Sequence, residues 1–597
     1  MVNYISLFDK ACFPGSLLKS EPSKELINAA KLLKLKTEPA VILGAGYFYL
    51  LVLSTVAIIL SLSFILFGFN PIYTILLVPL AFLTFYLFTE YPKMAANDKA
   101  MQAMGTAPLV LSQLSIYLRG SPSPERAMKF AAENSTGLVA DDLKKAVWKV
   151  AVGKYKNALE GLDKVGRKWG KFSPAFQSSV SLIEASFSES DPKAKIKDLD
   201  RATKTLLKDT IAKIKEYASG LHIPTLLLFS IGTIVPLMII SLFPIISFLG
   251  ADVGPLPTSL FLFTTLFASF LYSEHILRKR PPSMGGIEFK LENKSLPAAI
   301  LLSLLVAFPG FVYLLGYFGV IINQWFLLAV KPLSTFPIIW GIGIGFFVYY
   351  YSNYYPFKAK REEVRKIEEQ FPAALYHIRN KLAEGKPIEE ALSYTAKLLK
   401  GSDIAGLLDR LVYKVRAGSL PLNKALEFEK IDSKLIRSFL ILIAASLSRG
   451  TAAAASTASL ILSYLEKLNA VDDWIKELLR KSLTMMKATA LVFSPLVTSI
   501  IIVLFQMITK SIQTQNLPNI GPTLISKPSI TPDILLLIVG IYAIGLNFVL
   551  VRYVSKIGWG SDPVANGIEL AESFPAVLIV FTVTLLATRI LLLQSLT

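Results

Sequence analysis

The stretch that decides the fold is PAALYHIRNKLAEGKPIEEAL, residues 372–392, because a second version of it, PLVLSQLSIYLRGSPSPERAM, occupies residues 108–128. At a constant offset of 264 positions, residues of the same kind recur: Pro108, Leu111, Leu114, Leu118 and Ala127 fall on Pro372, Leu375, Ile378, Leu382 and Ala391. The loop glycine, Gly120 in one copy and Gly385 in the other, slips by one position. A duplication of this length is hard to attribute to chance.

Each copy predicts a helix, a tight turn and a second helix. Proline suits the first turn of a helix, apolar residues at i, i+3 and i+7 form one stripe, and glycine accepts the left-handed conformation that ends a helix. We therefore expect Pro108 and Pro372 to begin helices, Gly120 and Gly385 to end them, and Pro387 to begin the next helix. The apolar stripe is expected to be core, and the repeated alanines permit close packing of the second helix.

The similarity extends beyond the motif. Residues 148–153, Trp-Lys-Val-Ala-Val-Gly, resemble residues 413–418, Tyr-Lys-Val-Arg-Ala-Gly. Each copy then runs into an apolar segment with an internal proline, Pro236 in the first and Pro495 in the second. The repeated unit is therefore predicted to be a helical bundle together with the membrane helix that follows it.

Around the repeat, the sequence is both apolar and basic, with 53% apolar residues and a formal charge of +19 over 597 residues. The charges avoid nine long segments, which together hold 205 residues and a single ionisable side chain, Arg589. The other 392 residues carry 104 charges, about 27%, as in an ordinary soluble protein. A helix needs about 20 apolar residues to cross a bilayer core, so each segment is expected to span a membrane. The segments are 40–69, 71–89, 223–249, 255–273, 297–322, 332–352, 488–509, 534–551 and 573–595.

The distribution of lysine and arginine predicts the orientation of these spans. With a cytoplasmic N-terminus and nine spans, 58 of the 62 bases fall on the cytoplasmic side. Short loops carry the decision, and the predicted cytoplasmic loop 274–296 has five bases whereas the predicted outer turn 250–254 has none. We therefore expect a multi-pass protein of the cell membrane with its N-terminus in the cytoplasm and its C-terminus outside.

Both long hydrophilic stretches between the spans carry apolar residues at helical spacing and no sustained β-type alternation. The predicted fold class is all-α: a polytopic membrane protein with about nine transmembrane helices and two homologous cytoplasmic helical bundles. The predicted parts are a cytoplasmic N-terminal segment (1–39), a transmembrane pair (40–89), the first bundle (90–222), a transmembrane pair (223–273), a cytoplasmic loop (274–296), a transmembrane pair (297–352), the second bundle (353–487) and three transmembrane helices with an outer loop at 510–533 (488–597).

Motifs of common enzymatic chemistry are missing from the sequence. There is no G-x-x-x-x-G-K-[ST] phosphate-binding loop and no G-x-S-x-G elbow. The three histidines lie far apart without a second ligand at i+3 or i+4, and Cys12 has no second cysteine to pair with. We expect no enzymatic activity, no cofactor and no metal site, so that any energy must come from a partner.

The pattern Leu-x-x-Gly-x-Pro-x-x-x-Ala-Leu, realised from Leu382 to Leu392 in a duplicated bundle followed by membrane helices, resembles the platform proteins of type II secretion (the system F family) and type IV pilus systems. The bacterial members have about three spans, and the enlargement here is similar to the archaeal members, which serve archaella and adhesive pili. The resemblance implies a membrane platform that sits on a hexameric secretion ATPase and helps to lift pilin or archaellin subunits into a filament. It also implies a homodimer, and it leaves open which filament is built.

Both predicted bundles are moderately basic, with 22 bases against 15 acids in 90–222 and 23 against 16 in 353–487. Attraction to anionic membrane lipid is sufficient to explain this excess. The resemblance implies in addition that some of these bases meet acidic patches on the ATPase. The bases are scattered among acids without an aromatic-interleaved stripe, so nucleic acid is not an expected partner.

Two groups of bases are candidates for such an interface. One lies on a predicted helix of the first bundle and the other just below the sixth span: Lys144, Lys145 and Lys149, and Arg361, Arg365 and Lys366. The alternative interpretation is a solvated helix face with mixed charges at i, i+3 and i+4. We hypothesise that the segment 361–369 transmits motion between the second bundle and the membrane, because it joins them directly.

A secondary transporter with two repeats is the alternative function. Ion-coupled carriers place acids or bases near the bilayer midplane, and these spans have almost none. A further open question concerns Gly341, Gly343 and Gly345, which permit close helix contact. They are interpreted either as packing within the chain or as a dimer contact or docking groove for a pilin helix.

Overall fold

The computed structural model describes residues 12, 16, 18, 21–33, 35, 37–66, 77–120, 123–133, 135, 137–248, 254–278, 295–317, 334–418, 420–429, 431–514, 530–560 and 562–594. All regular secondary structure in these residues is helical. The chain divides into two compact units, one comprising 1–111 and 124–206 and the other comprising 112–123 and 207–597.

Eight helices precede residue 220. They are α1 (Lys24–Leu33), α2 (Pro39–Leu66), α3 (Leu77–Gly120), α4 (Pro124–Glu133), α5 (Leu138–Ala151), α6 (Ala158–Gly170), α7 (Pro174–Ser188) and α8 (Pro192–Ser219). Side-chain caps fix two of the turns between them. Asn157 accepts the Glu160 amide at the start of α6, and Ser173 accepts the Phe176 amide at the start of α7. Neighbouring helices from α4 to α7 pack on one another around buried Leu143, Leu162 and Trp169.

Fourteen further helices follow among the described residues. They are α9 (His222–Phe229), α10 (Val235–Phe248), α11 (Pro255–Arg278), α12 (Leu296–Tyr317), α13 (Phe336–Tyr354), α14 (Lys358–Ala383), α15 (Ile388–Leu398), α16 (Asp403–Ala417), α17 (Leu422–Phe428), α18 (Lys434–Leu447), α19 (Thr451–Ala488), α20 (Ser494–Thr514), α21 (Pro532–Trp559) and α22 (Pro563–Gln594). The most enclosed is α21, on which sixteen residues are buried. It packs against α11, α13, α20 and α22 and forms the centre of the apolar core of this unit.

Seven helical segments in the described part of the chain are long and apolar enough to cross a bilayer, which makes the chain a multi-pass membrane protein by helix length and composition. They are Pro39–Val56, His222–Leu242, Pro255–Leu277, Leu296–Gly316, Asp473–Lys510, Pro532–Trp559 and Pro563–Leu591. Of the other two predicted spans, 71–89 lies partly outside the described residues. The span predicted at 332–352 falls on α13, whose glycines and tyrosines lower its hydropathy. The count of nine stays a prediction.

The expectation that Pro108 and Pro372 begin helices is wrong, because both lie inside longer helices, α3 and α14. Residues 358–371 are rich in lysine, arginine and glutamate, which favour helix and extend α14 upstream of its proline. An internal proline removes one backbone hydrogen bond without ending a helix that is held by packing on both sides. As a result, the predicted membrane segment 71–89 and the start of the first bundle belong, where described, to one continuous helix.

The two copies of the motif lie in series of helices with the same order. In each series a long helix containing the motif proline is followed by four shorter helices and then by a long one, α8 of 28 residues in the first and α19 of 38 in the second. A five-residue π-helical turn, Ser230–Ile234 or Thr489–Phe493, then leads into an apolar helix. In the first series the short helix α9 lies between α8 and this turn. The second residue after each turn is a proline, Pro236 or Pro495.

These π-helical turns are explained by the prolines that follow them. Proline has no amide hydrogen, so the carbonyl four residues earlier loses its donor, and the backbone responds with i→i−5 bonding. The Val235 amide accordingly bonds the Ser230 carbonyl. The carbonyl of Gly232, four residues before Pro236, instead accepts the hydroxyl of Tyr542 at 3.4 Å.

Close helix contacts surround α13, where glycine removes the side chain that would keep its neighbours apart. A Cβ built on Gly341 would lie 2.6 Å from the Ser303 carbonyl oxygen and 2.7 Å from the Ala307 Cβ on α12. One on Gly343 would lie 2.7 Å from Leu578 on α22. The glycine cluster therefore packs within the chain, which settles the question left open by the sequence.

We predict that Gly341→Ala destabilises the protein by about 1–3 kcal/mol, because the added methyl group meets backbone and a packed Cβ that have no room to move. The measurement is the thermal unfolding midpoint of the purified chain in detergent. Gly406→Ala is the matched control, since a Cβ on this helical glycine would meet only the Arg410 guanidinium at 3.7 Å. Equal midpoints for the two variants would contradict the close packing of α12 and α13.

Candidate functional site

The candidate site is the junction where the second helical series meets the membrane helices. Arg361, in the first turn of α14, pairs through its Nε with the Asp562 carboxylate at 2.5 Å, and both side chains are largely buried. The Arg361 guanidinium also lies 4.7 Å from the centre of the Trp559 ring, and that of Arg365 lies 5.3 Å from it. These four residues are called the Arg361 junction. An ion pair and two cation–π contacts thus join α14 to the α21–α22 turn.

Local backbone chemistry sets the turn that carries Asp562 and Trp559. Gly560, at φ 68°, ends α21 directly after Trp559. Asp562 accepts the amides of Val564 and Ala565 at 3.0 and 3.1 Å and so caps the N-terminus of α22. The carboxylate is favoured there by the helix dipole, and it is held by the two backbone amides as well as by Arg361.

Further contacts tie α22 to both ends of the second helical series. Near the start of the series, Lys358 pairs with Glu572 at 3.7 Å. At its end, Lys487 on the last turn of α19 pairs with Glu569 at 2.5 Å. The first three turns of α22 therefore contact the helix that opens the bundle and the helix that closes it.

A second polar cluster lies one to two turns earlier on α21. Arg552 and Lys556 both pair with Glu274 of α11, at 2.8 and 3.0 Å. At the opposite end of α21, Asp533 accepts the Tyr313 hydroxyl at 2.6 Å, and its backbone carbonyl accepts the Thr335 hydroxyl at 2.8 Å. Ionic contacts are thus concentrated at the end of the membrane helices that also carries the bundle.

Above the junction, Glu368 connects α14 to the start of α18. Its carboxylate accepts the Ser433 hydroxyl at 2.5 Å. Burial raises the pKa of Glu368 above its ordinary value, the hydrogen bond from Ser433 opposes that rise, and the negative charge of Asp562 adds to it. Nearby, Lys360 pairs with Asp432 at 3.1 Å. Several ion pairs and hydrogen bonds, and not a single contact, therefore hold the end of the bundle that lies next to the membrane helices.

Of the three bases predicted in this region, the structure brings Arg361 and Arg365 together on Trp559 and leaves Lys366 exposed on another face of α14. Arg365 also pairs with Glu369 one turn away, at 2.7 Å. Lys366 is therefore solvent-exposed. The partner interface predicted for Arg361, Arg365 and Lys366 stays a prediction.

The other predicted bases lie on α5. Lys145 pairs with Asp142 at 3.3 Å, and Lys149 bonds the Tyr155 hydroxyl at 3.3 Å. Lys144 is exposed. Asp142 also accepts the Trp169 indole at 3.1 Å, which anchors this side of the helix to the core of its bundle.

The residues of the repeat motif are structural. The apolar stripe is buried in both copies, as are the two alanines: Leu111, Leu114, Leu118, Ala127, Leu375, Ile378, Leu382 and Ala391. Gly385 has φ 80° and follows the end of α14, and Pro387 is the residue before α15. Gly120 is the last residue of α3.

Two residues of the junction were not predicted from the sequence. Trp559 and Asp562 lie about 200 positions from Arg361, and no local pattern links them. One signal was readable, because an aspartate directly before Pro563 is typical of a helix N-cap. This signal predicts that Asp562 caps α22, but it does not predict that Asp562 pairs with Arg361. In the described residues, no three His, Cys, Asp or Glu side chains group to hold a metal ion.

No family model, curated protein or solved structure matches the chain. What the chain does is therefore argued from its own residues.

Glu429 supplies a pH-dependent test of the second bundle. Its buried carboxylate accepts Lys414 at 2.6 Å and Arg410 at 2.8 Å. Burial alone would raise the pKa of Glu429, but the hydrogen bonds and charges of these two bases outweigh it and lower the pKa below the ordinary 4.5. The pairing therefore stabilises the fold above pH of about 4.5, and this stabilisation is lost as the pH falls through the lowered pKa.

We predict that Glu429→Gln lowers stability at pH 7 by about 2 kcal/mol, because two bases lose their charged acceptor. The difference from the unsubstituted chain should shrink as the pH falls through the lowered pKa of Glu429, where the carboxylate itself becomes neutral. Thermal unfolding across this pH range measures it, with the exposed neighbour Glu427→Gln as control. A difference that stays constant with pH would show that the pairing does not depend on the carboxylate charge.

Proposed function

We propose that this chain is a non-enzymatic membrane platform of a type IV pilus-like or archaellar assembly machine. The observation that carries the proposal is the duplicated motif around Leu382 and Leu118, each copy lying in a six-helix series that leads into a proline-containing apolar helix. A platform needs cytoplasmic domains that receive work and membrane helices that use it, and this arrangement supplies both.

We further propose nine spans, an N-terminus in the cytoplasm and a C-terminus outside. The polar contacts support four spans between residues 274 and 552, because residues assigned to the same side meet one another. Glu274 meets Arg552 on the assigned cytoplasmic side. Tyr313 and Thr335 meet Asp533 on the assigned outer side. A chain with one span fewer between Glu274 and Arg552 would place these two residues on opposite sides of the membrane.

In this proposal, the partners are a hexameric secretion ATPase, pilin or archaellin subunits, membrane lipid and a second copy of the chain. The Arg361 junction is the point of mechanical coupling. Because α14 and α19 both contact the first turns of α22, a displacement of the second bundle moves α22 and its neighbour α21. Displacement of these membrane helices would change the surface on which a pilin helix leaves the bilayer.

We expect deletion of the gene to abolish one class of surface filament, because a platform has no substitute within its machine. Electron microscopy of negatively stained cells measures it, and the same gene restored in trans is the control. Persistence of every filament class in the deletion strain would overturn the proposal. Loss of uptake of a solute with filaments intact would favour the carrier instead.

We predict that Arg361→Glu reduces the number of filaments per cell at least fivefold, because a glutamate repels Asp562 and no longer stacks on Trp559. Lys366→Glu makes the same charge change on an exposed face of the same helix and should leave the number unchanged. Immunoblots of membranes ensure that the variants are compared at equal amounts of chain. Normal filament numbers in Arg361→Glu cells would show that filament assembly does not require the Arg361 junction.

A further inference from the structure

One aromatic side chain on each helical series is exposed at the same position of the repeat. Trp148 on α5 is 63% exposed and Tyr413 on α16 is 72% exposed. Each lies on the third helix of its series, and the sequences that follow them correspond, from Trp148 to Gly153 and from Tyr413 to Gly418. Core residues recur in a duplicated domain because both copies must fold. Folding does not explain why Trp148 and Tyr413 recur, because both rings are exposed to solvent.

A second exposed apolar residue lies near each aromatic residue. Val152 follows Trp148 by one helical turn and is 61% exposed. Phe428, at the end of α17, is 69% exposed. It lies beside the end of α16, because the Lys414 ammonium donates to the Phe428 carbonyl at 2.7 Å. Each series thus presents a small apolar surface at a helix end.

Bases surround both surfaces in the same arrangement. A base lies three residues before each ring and a lysine directly after it: Lys145 and Lys149 beside Trp148, and Arg410 and Lys414 beside Tyr413. Residues 141–156 hold five lysines against two aspartates, and residues 409–416 hold three bases against one aspartate. The Trp148 surface is therefore net positive. At the Tyr413 surface, Asp409, Glu427 and the buried Glu429 balance the three bases, of which Arg410 and Arg416 are exposed.

A partly or fully buried carboxylate fixes the bases on each side. Asp142, with 12% of its side chain exposed, holds Lys145 and also Lys168. Glu429, with 8% exposed, holds Arg410 and Lys414. Bases held in this way lose little conformational freedom when a partner binds, so more of the contact energy remains for binding.

We propose that these two surfaces, the Trp148 patch (Lys144, Lys145, Trp148, Lys149 and Val152) and the Tyr413 patch (Arg410, Tyr413, Lys414, Arg416 and Phe428), dock the same partner. Its chemistry is an acidic protein surface with a pocket for one aromatic ring, present in at least two copies. Tryptophan, tyrosine and arginine dominate the binding energy of protein interfaces, and opposite charge guides the encounter. Two equivalent patches on one chain match a partner that repeats the same surface by symmetry.

The test rests on the proposed function for its choice of probe, the purified hexameric secretion ATPase from the same cells. The full-length chain in lipid nanodiscs is immobilised, and ATPase binding is measured at low and high salt. Trp148→Ala and Tyr413→Ala are each expected to raise the Kd about tenfold, and the double variant about a hundredfold. Binding by the unsubstituted chain should weaken as salt rises.

Tyr394→Ala is the matched control, because Tyr394 is an exposed aromatic of the second series whose counterpart in the first, Phe130, is only partly exposed. It should leave the Kd unchanged. Since the substituted rings are exposed, all variants should keep the unfolding midpoint of the unsubstituted chain.

The outcomes separate the two proposals. If the unsubstituted chain binds and the double variant binds within twofold of it, the docking patches are wrong while the platform function stands. If Lys144→Glu strengthens binding, the partner surface is not acidic and the patches are again wrong. If the unsubstituted chain does not bind the ATPase at all, the partner and the platform function both fall.

Discussion

The close approach of α13 (Phe336–Tyr354) to its neighbours is the constraint on which the membrane part of the second unit depends. Association of helices in lipid gains little from the hydrophobic effect, so it requires backbones to come near enough for dense van der Waals contact. Gly341 and Gly345 allow this against α12, and Gly343 allows it against α22. On α21, Gly540 receives the side chain of Ile339 in the same way. The glycines of α13 thus hold this helix against its neighbours, because the absence of a side chain permits close backbone contact.

Because α13 is fixed, the position of the bundle above it is fixed as well. Only a three-residue 3₁₀ turn, Tyr355–Phe357, separates α13 from α14. Arg361 stands four residues beyond this turn and meets a carboxylate that already caps α22. At the other end of the series, α19 passes into the membrane through a π-helical turn without a loop. Both connections are short and largely helical, so no loop separates the bundle from the membrane helices at either junction.

The sequence predicted those parts of this arrangement that are encoded locally. The apolar stripe of Leu375, Ile378 and Leu382 repeats at helical spacing, and all three residues are buried. The same local reasoning failed at Pro372, because the residues before it favour helix strongly enough to continue through it. The ion pair of Arg361 with Asp562 was beyond any such reasoning, since it depends on tertiary folding across about 200 residues. The periodicity of a helix predicts which of its faces is buried, but it does not predict which residues pack against that face.

The distribution of polar groups in the membrane helices favours a platform over a carrier. Within the apolar core of the second unit the polar contacts are neutral, such as Asn547 with Ser573 and Thr225 with Tyr553. Neutral hydrogen bonds of this kind hold helices together in lipid, whereas carriers need ionisable groups at the site of coupling. The ionised pairs, including Glu274 with Lys556, lie at the end next to the bundle. Charge is thus placed where the second helical series joins the membrane helices, as expected under the proposed function, in which these helices respond to force from that series and not to the charge of a transported ion.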